Sequence, residues 1–302
     1  MQYLSAKKLL RLLIERLGYD IKLHPIATAP YKGKKVAYIH IAKCGGMSID
    51  SALRSAFAST GQHKLNRAAA IQTTLTHFSQ DVESPENSAK FADEHVKTLN
   101  TLMSYYLGLN WSYMSGHANI SSQQLKKHAE NYHFLTVLRD PIERFISHYI
   151  YTKLTNTLPV MLPNKFLTDN LVDEALNIIE SRRGWHMMNT PTMCLTGQYP
   201  KNSHEAKVMQ STVADNLSQF SVVGFLSDLP RFTQQVEDLT GKSIVIAHQN
   251  ASNSYVDEEQ QRVRRTLTEF FNETSTRNKL KALGESEIEN FTRAQALYLG
   301  SN

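Results

Sequence analysis

The segment KCGGMS at 43–48 combines a lysine, two glycines and a serine, which are residue types that can bind a phosphate together. It follows the apolar run VAYIHI at 36–41 and precedes an amphipathic pattern at 49–57, which predicts a strand, a turn and a helix. Such a turn aims free backbone N–H groups and a helix dipole at an anion. The glycines allow close approach, Lys43 adds charge and Ser48 adds a hydroxyl donor. The alternative is an ordinary turn of an α/β protein.

A second group of phosphate-binding residue types follows the apolar run HFLTVL at 133–138. Arg139 comes directly after this run, and Ser147 lies further along the segment RDPIERFISHY. A guanidinium fork and a hydroxyl together are suited to a phosphate monoester. Read without the first loop, the same segment is a well-capped surface helix with a solvated Arg144.

His117 ends the segment WSYMSGH at 111–117, which is predicted as a short strand closed by a glycine turn. Ligands of open α/β sheets bind at the carboxyl ends of the strands, and histidine titrates near neutrality, so His117 is a candidate general base. Its rival role is to orient an acceptor. Among the other histidines, His40 is expected to be a core residue, and His148 is expected to be exposed beside Ser147.

Alternation of short apolar runs with amphipathic segments predicts how these residues are positioned. Asp140 and Pro141 favour a helix that begins at 141, because Asp is a good N-cap and Pro suits the first helical position. The prediction is an α/β fold with a central parallel sheet and helices on both faces. Further strands are predicted at 220–226 and 243–247, and further helices at 91–107, 123–130, 171–183, 204–217, 229–240 and over most of 256–299.

The composition is that of an ordinary globular chain of 302 residues, with 33 basic and 28 acidic side chains and a formal charge of +5. This mild excess suits an anionic ligand and is too small and dispersed to indicate a nucleic-acid partner. Two cysteines fit a reducing compartment, and no signal peptide, membrane segment or metal-ligand spacing is evident, so a soluble, cytoplasmic, metal-free protein is expected. The sequence does not predict an oligomeric state.

Two motifs resemble those of sulfotransferases that use 3′-phosphoadenosine 5′-phosphosulfate (PAPS). In the branch with the heparan and chondroitin sulfotransferases the first loop commonly reads IHIPKTGGTS, and this chain has IHIAKCGGMS from 39 to 48. The segment at 139–149 matches the family's 3′-phosphate motif, R-D-P-x-x-R-x-x-S-x-Y, at every fixed position. A nucleotide triphosphatase would instead place its lysine after the glycines, as in G-x-x-x-x-G-K-[ST].

The resemblance implies a P-loop-like, sulfotransferase-type sheet, PAPS as sulfonate donor and a hydroxyl acceptor, with carbohydrate expected. It implies catalytic roles for Lys43 and His117. It also implies that the nucleotide is bound by Lys43, Cys44, Gly45, Gly46, Met47, Ser48, Arg139 and Ser147. Because Cys44 is predicted at a helix N-terminus beside Lys43, we expect it to be a reactive thiolate that nucleotide protects.

The chain is predicted to form one sulfotransferase domain over 1–302. Its parts are an N-terminal helix at 5–18, a nucleotide-binding core at 35–151 and a helical, acceptor-side region at 152–302. Two alternatives remain open at this point. One is a nucleotide-dependent kinase on a related P-loop scaffold, and the other is a degenerate module that binds nucleotide or glycan without turnover, because Ala42, Cys44 and Met47 depart from the family motif.

Overall fold

A computed structural model describes residues 14, 16–17, 26–62, 64–82, 85–155, 171–247 and 257–300. The predicted N-terminal helix at 5–18 lies almost wholly outside the described residues, as do 156–170 and 248–256 of the predicted acceptor-side region. The fold of the described residues is the predicted α/β architecture.

Four parallel strands form the sheet, in the order β2-β1-β3-β4. They are β1 (Lys35–Ile39), β2 (Tyr113–Gly116), β3 (Tyr132–Leu138) and β4 (Val222–Phe225). Ile39 is in register with Gly116 on one side and with Thr136 on the other, so these three strands end at the same edge. The chain adds β2 on one side of β1 and β3 on the other, which makes this edge a switch point where ligands commonly bind.

The helices pack into three hydrophobic cores. One core lies on each face of the sheet, and the third contains helix residues within 142–280 and no residue of a strand. They are α1 (Gly46–Phe57), α2 (Arg67–His77), α3 (Pro85–Gly108), α4 (Ser122–His128), α5 (Pro141–Leu154), α6 (Leu171–Ile179), α7 (Arg182–Met188), α8 (Thr190–Thr196), α9 (Ser203–Leu217), α10 (Leu229–Thr240), α11 (Glu258–Asn272), α12 (Thr274–Leu283) and α13 (Glu285–Tyr298).

The side chains of alternate residues of β1 pack into two different cores, one on each face of the sheet. Val36 and Tyr38 pack with α1 and α10, whereas Ala37 and Ile39 pack with α3, α9 and their neighbours. Side chains of a strand alternate between faces, so an apolar residue at every position requires both faces to be covered. The continuous apolar run of the first strand therefore correctly predicted helices on both faces.

The predicted strand at 243–247 is wrong. Residues 242–247 have no regular secondary structure, and no described strand pairs with them. Ile244 is buried and Ile246 packs partly buried against the same core, but Val245 is 84% exposed, so the run lies along the surface. A short apolar run alone does not determine whether a neighbouring strand is available to complete its hydrogen bonds.

A buried polar cluster joins α1 to β2 beneath the strand edge. The Asp50 carboxylate accepts hydrogen bonds from the Tyr113 hydroxyl, at 2.9 Å, and from the Ser115 hydroxyl, and it forms an ion pair with Lys64. Asp50 and both hydroxyl residues are buried. Because a buried carboxylate is stable only when its hydrogen bonds are made, this cluster holds the helix that follows the glycine loop.

We expect Tyr113→Phe to lower the free energy of unfolding by about 1.5–3 kcal/mol, because it removes a donor to a buried carboxylate. Urea denaturation followed by circular dichroism measures the change. The matched control is Tyr105→Phe, at a tyrosine that is 61% exposed, where a change below about 0.5 kcal/mol is expected. Equal stability of the two variants would show that the Tyr113 hydroxyl does not support Asp50.

Candidate functional site

The loop between β1 and α1 has the geometry of an anion cradle. Lys43 and Gly45 have φ values of 67° and 76°, and the Cys44 N–H donates to the Ile41 carbonyl at 3.3 Å, so the chain turns tightly. Gly45 is the N-cap of α1 and provides no side-chain acceptor. The first-turn N–H groups of a helix have no acceptor within it, so those at the start of α1 are available to a ligand.

Glycine is required at two positions of this loop for different reasons. At Gly45 the positive φ is unfavourable for other residues, and a Cβ would lie 2.7 Å from a methyl of Leu226. At Gly46 a Cβ would lie 1.6 Å from Nε2 of His40. The second glycine therefore gives His40 room to lie directly against the backbone of the loop.

Arg139 joins the second motif to the first. Its Nη1 donates to the Lys43 carbonyl at 3.1 Å, from the turn between β3 and α5. The predicted helix start is confirmed, because the Asp140 carboxylate accepts from the Glu143 N–H at 2.9 Å and Pro141 is in the first turn. Ser147 lies on α5 and is partly buried. The two predicted phosphate-binding segments thus meet at one edge of the sheet.

Positive charge is concentrated around Lys43. Burial lowers the pKa of the Lys43 ammonium, and the neighbouring guanidinium groups of Arg139 and Arg264 lower it further. Arg264 lies on α11 and is partly buried. Sequence reasoning missed Arg264, because it belongs to no recognised motif and is one of several charged residues in a polar helical segment. The arrangement favours an anionic ligand, which would relieve the repulsion among these cations.

The ring of His117 lies beside the loop. Its centroid is 4.0 Å from that of His40, whose ring packs against Gly46 and also stacks on Tyr38 at 5.7 Å. His40 is buried, as predicted, and burial holds its pKa well below the usual range, with further lowering by His117, Lys64 and Lys43. His117 itself is only partly buried. The ring of His40, a core histidine, therefore contacts both the candidate base and the backbone of the loop.

A model of the sulfotransferase family matches residues 31–294. The chain belongs to the sulfotransferase family. No curated protein matches it at a significant level. The match spans the β1–α1 loop, the segment after β3 and α11, and family membership supports the transfer of a sulfo group.

In this sulfotransferase, Arg144 is a fully buried residue of the structure and not the solvated arginine of the surface-helix alternative. Its Nη2 donates to the carbonyls of Met187 and Met188, the latter at 3.1 Å. It thereby ties α5 to α7. His148 also departs from expectation, because it is partly buried with a fully buried Nδ1, and burial and Arg144 hold its pKa well below the usual range.

Cys44 is buried, with 1% of its surface exposed, so the expected reactive thiolate is wrong. Burial raises the pKa of the thiol to about 11, which outweighs the opposing effect of Arg144 and Arg139. The backbone of Cys44 is part of the loop, but its side chain packs into the core with Ile41 and Leu138. A helix N-terminus lowers a thiol pKa and burial in apolar surroundings raises it, and at Cys44 burial is the larger effect.

The helix that follows the loop borders a cavity of about 350 Å³. Serine side chains and short apolar side chains line it, from α1 and from 243–247: Ser48, Ser51, Ala52, Ser55, Ala56, Ser243, Ile244, Val245 and Ala247. Within the described ranges, no group of three or more His, Cys, Asp or Glu residues is arranged to hold a metal ion. None of the described helices combines the length and apolar character needed to cross a bilayer.

We expect alkylation of Cys44 in the native sulfotransferase to be at least about 100-fold slower than that of a free thiol at pH 7.5, because the thiol is buried and protonated. Mass spectrometry after timed iodoacetamide treatment measures the rate at each cysteine. The same protein in urea is the control and should react at the free-thiol rate. Rapid native labelling of Cys44 would contradict the burial of its sulfur.

Proposed function

We propose that this sulfotransferase moves the sulfonate group of PAPS to a hydroxyl group of a carbohydrate. The observation that carries the proposal is the contact between Arg139 and the loop at Lys43, because it brings two anion-binding segments to one edge of the sheet. PAPS has two separate phosphate-containing groups, a 5′-phosphosulfate and a 3′-phosphate. A donor with two separate phosphate-containing groups needs two segments that can each bind an anion.

The residues present fit this donor. The loop N–H groups of Gly45, Gly46, Met47 and Ser48 would hold the 5′-phosphosulfate, and Arg139 with Ser147 would hold the 3′-phosphate. Cys44, whose N–H donates to the Ile41 carbonyl, would contribute by fixing the turn of the loop. The cavity beside Ser48 would take the nucleoside, since it offers both hydroxyls and apolar surface. The fit rests on the uncapped start of α1 and on the cations gathered at Lys43.

Sulfuryl transfer resembles phosphoryl transfer, in which an in-line displacement passes through a loose transition state with charge spread over oxygens. Lys43 would stabilise charge on the departing phosphate oxygen, and the loop N–H groups would stabilise the equatorial oxygens. His117 would accept the proton of the acceptor hydroxyl. The low pKa of the neighbouring His40 supports this role, because a neutral neighbour leaves room for a positive charge on His117.

The carbohydrate acceptor is supported by the similarity of both motifs to the heparan and chondroitin branch. Transfer of radiolabelled sulfonate from PAPS to a panel of glycans and of phenols tests it. Preference for a phenol would contradict the carbohydrate assignment while leaving sulfuryl transfer intact. Binding of nucleotide with no transfer to any acceptor would favour the degenerate-module alternative.

Arg139→Ala is expected to weaken binding of adenosine 3′,5′-bisphosphate by about 10- to 150-fold, the value of one or more charge-assisted hydrogen bonds. Isothermal titration calorimetry measures the affinity. The matched ligand is adenosine 5′-phosphate, which lacks only the 3′-phosphate and whose affinity should fall less, because it loses only the support that Arg139 gives to the loop. The matched control variant is Arg265→Ala, at an exposed arginine on α11.

Two outcomes of this titration would contradict the assignment. Equal losses for both ligands would mean that Arg139 acts by holding the loop at Lys43 and not through the 3′-phosphate. Tighter binding of ADP than of adenosine 3′,5′-bisphosphate by the native protein would favour the kinase alternative.

His117→Ala is expected to lower kcat by about 10²–10⁴ while nucleotide affinity stays near native, because a positioned base acts on the acceptor and not on the donor. The acidic limb of the kcat–pH profile should also disappear, since protonated imidazole cannot accept a proton. His204→Ala, at an exposed histidine of α9, is the control. A His117 variant that keeps its melting temperature and turns over at more than about a third of the native rate would exclude the base role.

A further inference from the structure

Tyr151 contacts the side chain of Lys43 in the candidate site. The Lys43 Nζ lies 4.0 Å from the centroid of the Tyr151 ring, which is well within the range of a cation–π interaction. Tyr151 is four residues after Ser147 on α5, so the two side chains project from the same face of that helix. Tyr151 is 45% exposed, so the residue is in part accessible to solvent. Neither motif of the sequence includes this residue.

The neighbouring cations and histidines that the structure describes do not favour the charge of Lys43. Arg139 lies at the turn before α5, and Arg264 lies on α11; both act with burial to lower the pKa of Lys43. His148 on α5 and His40 after β1 are held largely neutral, mainly by burial, and the charge of Lys43 lowers their pKa values further. Among the contacts that the structure describes for the Lys43 ammonium, the π face of Tyr151 favours a positive charge.

The loop fixes the backbone of Lys43 but does not by itself fix the conformation of its side chain. Its φ of 67° and the hydrogen bond from Arg139 to its carbonyl determine where the side chain starts. A lysine side chain then has four rotatable bonds and a compact charge with no preferred direction. A ring at a defined place on α5 selects one region for that charge. Preorganised charge is what electrostatic catalysis requires.

We propose that Tyr151 is a positioning residue, whose ring holds the Lys43 ammonium in place beside the β1–α1 loop. The inference rests on the proposed role of Lys43 in sulfuryl transfer. Tyr151 acts through Lys43 and not through its own hydroxyl. The ring thereby connects the helix that carries Ser147 to the charge of the loop.

The test compares Tyr151→Leu, which removes the ring, with Tyr151→Phe, which removes only the hydroxyl. We expect Tyr151→Leu to lower kcat by about 5- to 30-fold, while Tyr151→Phe stays within about twofold of native. Affinity for adenosine 3′,5′-bisphosphate should change by less than about threefold in both. Tyr105→Leu is the control, because Tyr105 is more exposed and its ring contacts Tyr106 instead of a lysine.

The pH profile distinguishes positioning from a loss of packing. The ring stabilises the charged form of Lys43 and so raises its pKa against the lowering by burial, Arg139 and Arg264. Its removal should lower that pKa, so the alkaline limb of the kcat–pH profile should move to lower pH in Tyr151→Leu and not in Tyr151→Phe. An NMR titration of ¹³Cε-labelled lysine, assigned with Lys43→Arg, measures the same shift without turnover.

The outcomes separate this inference from the proposed function. Absence of sulfuryl transfer by the native protein would count against the proposed function, and the lysine titration would still decide whether the ring supports Lys43. An unchanged Lys43 titration and an unchanged kcat in Tyr151→Leu would overturn the inference. Equal losses in Tyr151→Phe and Tyr151→Leu would also overturn it, because they would assign the effect to the hydroxyl.

Discussion

The hydrogen bond from Arg139 to the Lys43 carbonyl is the contact on which the candidate site depends. Lys43 has a positive φ, and a non-glycine residue in that region costs about 1–3 kcal/mol. A hydrogen bond from a charged donor contributes about 1.5–3 kcal/mol, so the two effects are of similar size. The bond can form because β1 and β3 are parallel neighbours whose following loops leave the sheet at the same edge.

The acidic residues of the second motif are directed away from this edge. The Asp140 carboxylate caps α5, and the Glu143 carboxylate pairs with Arg277 at 2.6 Å. Because these two carboxylates are engaged elsewhere, they do not offset the repulsion that Arg139 and Arg264 exert on Lys43, and this repulsion costs stability. Functional sites commonly carry such a cost, because the ligand relieves it when it binds.

Behind the loop, buried polar groups make the support rigid. Asp50 holds α1 against β2, and Arg144 holds α5 against α7 through two backbone carbonyls. His40 fills the space that the absent side chain of Gly46 leaves at the loop, and its ring packs against the ring of His117. Each of these residues fixes an element that bears a candidate functional group, so their main effect is on position. A site built on such supports needs little rearrangement to bind an anion.

The sequence by itself determined the local features. The continuous apolar run before Lys43 required a strand covered on both faces, the glycines required a tight turn, and Asp140 with Pro141 required a helix start. These outcomes depend on residues close in the chain, so pattern and propensity were sufficient to predict them. The same patterns identified both candidate anion-binding segments and the short strand that ends just before His117.

Only the tertiary structure decided which side of each element faces the core. Cys44 is at the predicted helix start, yet its sulfur is buried, which reverses the expected effect on its pKa. Arg144 is fully buried and donates to two carbonyls of α7, and no described strand lies beside Val245. From helices further along the chain, Arg264 lowers the pKa of Lys43 and the ring of Tyr151 contacts its ammonium. Burial and the approach of distant charges depend on how the elements pack, and no local pattern of residues carries that information.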